Sequence, residues 1–150
     1  MDDDRDGLLQ HYRQTRQDLL TAIDGLSDEQ MAEPSIDGWS VKDHLAHIAF
    51  WDELRAAEVA RISAGHESGW RMDPEQDEAL NKIGYDVRRG LSVEQARWEL
   101  KTSRAQLLAA ISASAPRGMD ASLYGEAGLH STHEVEHAGW IRSWREKKGI

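Results

Sequence analysis

Residues 130 to 144 read His-Ser-Thr-His-Glu-Val-Glu-His-Ala-Gly-Trp-Ile-Arg-Ser-Trp. On a helix, positions three and four apart share a face, so His133, His137, Trp140, Ile141 and Trp144 form one stripe, apolar apart from two histidines. A buried imidazole needs both ring nitrogens satisfied, and a pair one turn apart can achieve this by clamping a divalent cation. The same spacing also fits ordinary polar residues at a helix end, because so short a motif has many chance matches. A third ligand separates the two readings. The candidate is His47, in Asp43-His-Leu-Ala-His-Ile-Ala-Phe-Trp51, an apolar helical stretch with His44 on the same side. Three neutral imidazoles with one open position are the usual plan of a catalytic metal site.

The rest of the chain supplies helices for this stretch to pack on. Leu8, Tyr12, Leu19 and Ile23 recur at helical spacing over residues 7–24, and Asp24-Gly25 ends that segment. Ser27-Asp-Glu-Gln30 has the outline of a capping box, but Pro34 limits it to a short connector. Asp37-Gly-Trp-Ser40 is a turn followed by an N-cap, with Asp43 placed near the positive end of the helix dipole. The helix it starts runs to about Ser63, with Val41, Leu45, Ile48, Val59 and Ile62 toward the core and His44, His47 and Trp51 on the adjoining flank. Residues 66–74 have no period and read as a long loop, and 75–89 are weakly helical through Leu80, Ile83 and Val87. After a capping box at Ser92-Val-Glu-Gln95, the stripe Val93, Ala96, Leu100, Leu107 and Ile111 gives a third long helix. Ala115-Pro-Arg-Gly118 breaks it, and a loop to Leu129 leads to the last helix. The expectation is an all-α, single-domain four-helix bundle over residues 1–150, with a crossover loop and a short extra helix.

Composition narrows the function. A chain of 150 residues holds one core that buries roughly two thirds of its unfolded surface. No apolar run reaches the roughly 20 residues of a membrane span, and the opening Met1-Asp-Asp-Asp-Arg5 does not resemble a signal peptide, so no membrane partner and a cytoplasmic location are expected. The absence of cysteine removes disulfides, thiolate ligands and a cysteine nucleophile, leaving His, Asp and Glu to hold a metal. A net charge of -9 with no basic block argues against a nucleic-acid partner. Six tryptophans against one phenylalanine suit pocket walls or interfaces as well as a core. Trp51, Trp70 and Trp140, near the histidines or in the long loop, are the candidates for lining a cofactor or substrate site.

His133-Glu-Val-Glu-His137 spells the H-E-x-x-H pattern of zinc proteases. That reading fails, because Trp140 and Ser143 stand where the longer signature has Gly and His, and no strand is available for a peptide to pair with. Ser131-Thr-His-Glu134 has capping-box spacing, so Glu134 is first read as holding the helix start, and alternatively as an acceptor behind a ligand imidazole or a base at the site. His130, before the cap, is a fourth ligand, a proton shuttle or a surface residue. His44 is a hydrogen-bonding partner of a ligand or part of the core. Glu134, His44 and His130 are thus the candidate catalytic groups, and His47, His133 and His137 the candidate metal ligands.

Gly38-Trp-Ser-Val-Lys-Asp-His-Leu-Ala-His-Ile-Ala-Phe-Trp-Asp52, the later Glu78-Ala-Leu-Asn81 and the closing Thr132-to-Trp144 segment together resemble the DinB/YfiT-like superfamily of metalloenzymes. The resemblance spans the chain and maps the family's metal triad onto His47, His133 and His137. It implies a four-helix bundle, often dimeric, with nickel, zinc or another divalent ion. It also implies a hydrolase or a thiol S-transferase acting on a small molecule, the latter with a low-molecular-weight thiol as cosubstrate. Other relatives are maleylpyruvate isomerases. ClbS/DfsB-like relatives keep open an alternative, a small-molecule binding or resistance protein with no essential metal. The extra His44 and His130 leave the fourth ligand open.

Overall fold

In the computed structural model, which describes residues 3–70, 73–125 and 128–150, the chain is helical throughout apart from loops and an isolated bridge between Ile36 and Trp39. Among the described residues six α-helices follow in order: α1 (Arg5–Ile23), α2 (Asp28–Ala32), α3 (Val41–Ser63), α4 (Pro74–Arg88), α5 (Val93–Ala113) and α6 (His133–Lys148). The four long helices of the bundle are α1, α3, α5 and α6. The short α2 and the crossover α4 are the extra elements. Among the described residues, no helix is long and apolar enough to cross a membrane.

Three of the starts follow the local chemistry of the sequence. Ser27, Ser40 and Ser92 each accept a hydrogen bond from the backbone of the third residue on, whose own side-chain oxygen accepts one from the backbone N–H of the cap. Each box satisfies two of the donors that a helix start leaves unpaired. The loop expected over 115–129 is more ordered than that, with 3-10 turns at Pro116–Met119 and Ala121–Tyr124. Pro116 presets the first turn, and the Asp120 carboxylate accepts from the Ser122 backbone to close the second.

Helix α3 packs most extensively on α5, and α1 on α6. The core has two apolar halves. One gathers Leu19, Ile23, Met31, Leu45, Ile48, Leu100 and Ile141, and the other Leu8, Tyr12, Val59, Ile62, Leu107 and Ile111. Between them along α1, α3 and α5 lie Arg16, Asp52 and Arg104, all buried. A charged layer therefore divides the core. Helix α4 reaches α3 closely because Gly84 faces the Phe50 ring, where a Cβ would come within 2.8 Å of ring carbon.

Candidate metal centre

Two helices supply the site. On α3, His44, His47 and Trp51 project from the flank beside the core stripe, and on α6, His133 and His137 occupy the first turns. The turn before α3 adds a wall: Asp37 and Gly38 take positive φ values of 52° and 88°, and Ile36 and Trp39 exchange two backbone hydrogen bonds of 2.9 Å. This reversal places the Trp39 ring 5.3 Å from that of His44 and 5.2 Å from that of His47.

The Nε2 atoms of His47 and His137 each lie 3.0 Å from Nε2 of His133. One ligand atom from each of the three histidines falls within 4.8 Å of the others. Hydrogen bonding alone cannot satisfy this arrangement, because a ring nitrogen carries either one proton or one in-plane lone pair, and His133 Nε2 has two partners. A cation satisfies all three. Nitrogens at about 2.0–2.1 Å from a tetrahedral ion are about 3.3 Å apart, so the two separations of 3.0 Å from His133 fit with a shift of a few tenths of an ångström, while the third pair is held within 4.8 Å.

His44 stands behind this group, with its Nδ1 2.7 Å from Nδ1 of His137. If His137 turns Nε2 to an ion, its Nδ1–H donates to His44, which must then carry its own proton on Nε2. That Nε2 is buried without a partner. Burial keeps the four imidazoles neutral: desolvation lowers His44 and His133 to about 4, His47 to about 3 and His137 to about 2. Neighbouring imidazoles add to the effect at His47 and His137, as does the Arg55 guanidinium at His133. Neutral imidazole is the form that binds metal.

Two clefts border the histidines. One, of about 610 Å³, runs past His44, His47, His133 and His137 between Trp39 and Trp140. The other, of about 530 Å³, is lined by Trp51, Arg55, Trp70, His130, His133 and Glu136 among others. Trp140 lines the first of these clefts, and Trp51 and Trp70 line the second. Trp140 lies edge-on to His137 at 4.7 Å, and Trp70 lies over Trp51 at 4.7 Å, with the Arg55 guanidinium 5.3 Å from its ring. The Trp70 indole N–H donates to Asp77, which ties the loop to α4.

Two expectations need correction. Glu134 forms no capping box, since Thr132 is the N-cap and makes no side-chain cap hydrogen bond. Nor does its carboxylate face the imidazoles. It points into the core, where it accepts hydrogen bonds from Arg16, from Arg104 Nη2 at 2.7 Å and from Thr15 Oγ1 at 2.9 Å, while both guanidiniums also bind Asp52. The long-range ion pairs, in place of the local cap, occupy both oxygens of Glu134. His130 is not among the converging groups either. It leaves the chain before α6 begins, stays exposed and meets His11 and Asp4, reaching only the rim of the second cleft.

Sequence reasoning missed Trp39, Asn81 and the Arg16–Asp52–Arg104 layer. A signal existed for Arg16 and Arg104, each lying on the apolar stripe of its helix, four residues after Tyr12 and after Leu100. Asn81 accepts a hydrogen bond of 2.8 Å from the Trp51 indole and lines both clefts.

No curated protein matches the chain. Among solved structures, the crystal structure of an uncharacterised protein from Escherichia coli UTI89 has the same fold, with a TM-score of 0.77, 19% identity, and coverage of 97% of this chain and 95% of that one. The family model described as the DinB superfamily matches residues 11–141, a span that includes His47, His133 and His137.

Proposed function

The chain belongs to the DinB superfamily, and from that premise we propose that it is a metal-dependent enzyme acting on a small organic molecule. His47, His133 and His137 hold a divalent ion, zinc or nickel, through their Nε2 atoms. The observation that carries the reading is the convergence of these three nitrogens beside an open cleft. A nitrogen-only ligand set suits either ion. A divalent ion bound there supplies Lewis acidity toward water, in a hydrolase, or toward the sulfur of a low-molecular-weight thiol, in an S-transferase. The thiol comes from solution, since the chain has no cysteine. A cytoplasmic location, where such thiols are reduced, belongs to the same proposal.

The chain's own groups do the rest. His44 fixes the ring orientation of His137 through the Nδ1 contact. Trp39 and Trp140 wall the cleft, exclude water from the imidazole edges and give an aromatic or apolar substrate a surface to lie on. The same cleft supports a second reading, a binding or resistance protein that holds a toxic small molecule with no essential metal.

Elemental analysis of protein purified without chelators, followed by thiol-transfer and hydrolysis screens, separates the two. The enzyme reading expects one zinc or nickel per chain, absent from His137→Ala, and turnover that needs the ion. A chain that takes up neither metal, with an intact cleft, contradicts it.

A further inference from the structure

The Glu78-Ala-Leu-Asn81 motif lies in the middle of α4, where Asn is a weaker helix former than the Ala or Leu beside it. Its side chain is half satisfied. The Trp51 indole is a donor only, so the contact at 2.8 Å fixes the amide with Oδ1 toward Trp51; the flipped amide would set donor against donor. The NH2 group then has no hydrogen-bond partner among the described residues. Asn81 and His133 are also, among the described residues, the two that line both clefts. An oriented donor pair thus stands where the two clefts meet beside the imidazoles.

We propose that Asn81 is a substrate-binding residue, whose amide NH2 donates to an acceptor oxygen of a carbonyl, carboxylate or hydroxamate compound bound at the three-histidine site. The inference rests on the metal reading above and deepens it by naming a substrate class. The ligand has an aromatic or apolar body, placed against the tryptophan walls, and an oxygen that lies between Asn81 and the histidines. Trp51 is the positioning residue, since its N–H decides which end of the amide faces the ligand.

The test is calorimetric titration of benzohydroxamate into the zinc-loaded protein, with zinc content measured for each variant. Asn81→Asp keeps the acceptor for Trp51 and removes the donors, whereas Asn81→Ala removes both. Each variant is expected to retain zinc and to bind benzohydroxamate about tenfold or more weakly than the wild type. Wild-type affinity in Asn81→Asp overturns the inference, because the residue then serves only to accept from Trp51, and the metal reading survives. Failure of the zinc-loaded wild type to bind benzohydroxamate overturns it as well. A wild type that takes no zinc overturns the metal reading and the inference with it.

Discussion

His137 has a neighbour on each ring nitrogen: Nε2 meets His133 and Nδ1 meets His44. Replacing it by alanine should abolish metal uptake while leaving helical content largely unchanged, as measured by elemental analysis and circular dichroism. At a hundredfold excess of metal over Kd, binding to the native state alone adds about 2.7 kcal/mol. Chelation should therefore lower the wild-type melting midpoint and leave that of His137→Ala unmoved. Acid acts on the same residues. In the folded chain the four imidazoles titrate at about 4 and below, against 6.5 for an ordinary histidine. As pH falls below 6.5 the unfolded chain therefore binds more protons than the folded one, and stability falls with it. The metal-free protein should melt lower at pH 5 than at pH 7, and equal midpoints would count against buried neutral imidazoles. The convergence of His47, His133 and His137 was legible because their spacing sets them on apolar helix faces. Glu134 was misread because a capping motif is local, whereas its partners Arg16 and Arg104 lie 118 and 30 residues away.

At the scale of elements, the start of α6 is held by the charged layer. Glu134, next to His133, is locked by Arg16 and Arg104, which are shared with Asp52 of α3. One ion network thus joins α1, α3, α5 and the first turn of α6. Removing one member of a buried network leaves an uncompensated charge, which typically costs about 3–5 kcal/mol. Glu134→Ala should lose stability of that order in urea unfolding, and the loss should persist in metal-free protein, since the network's hydrogen bonds involve none of His47, His133 and His137. The loop after α3 has a separate anchor. Buried Glu58 accepts from the Ser68 hydroxyl and the Gly69 backbone and pairs with Arg61, fixing the approach to Trp70. Glu58→Ala should loosen Trp70 over Trp51, seen as a red-shifted tryptophan emission, and an unchanged spectrum would mean that the Asp77 contact holds the ring alone. The absence of period marked residues 66–74 as a loop, of which 71 and 72 lie outside the described residues and Pro74 already opens α4, but its anchor could not be read, because nothing in the spacing tells a buried Glu from a solvated one.

For the whole molecule, the bundle was legible almost entirely, since four amphipathic segments, two of them opened by serine capping boxes, admit few other packings. Less legible was the division of the core into two apolar halves by charge, a feature of three helices in register rather than of any one stretch. A homodimer is proposed on the strength of the resemblance, and Ile83, Val87 and Trp98 stand exposed for a second copy to cover. Light scattering at micromolar concentration should then give twice 16.9 kDa, and the mass of one chain would reject it. The central claim is that His47, His133 and His137 share one ion, and X-ray absorption on the zinc-loaded protein tests it most directly. Three imidazole nitrogens at about 2.0–2.1 Å from zinc, falling to two in His47→Ala, is the predicted result. A first shell dominated by carboxylate or water oxygens, unchanged by that substitution, would contradict it.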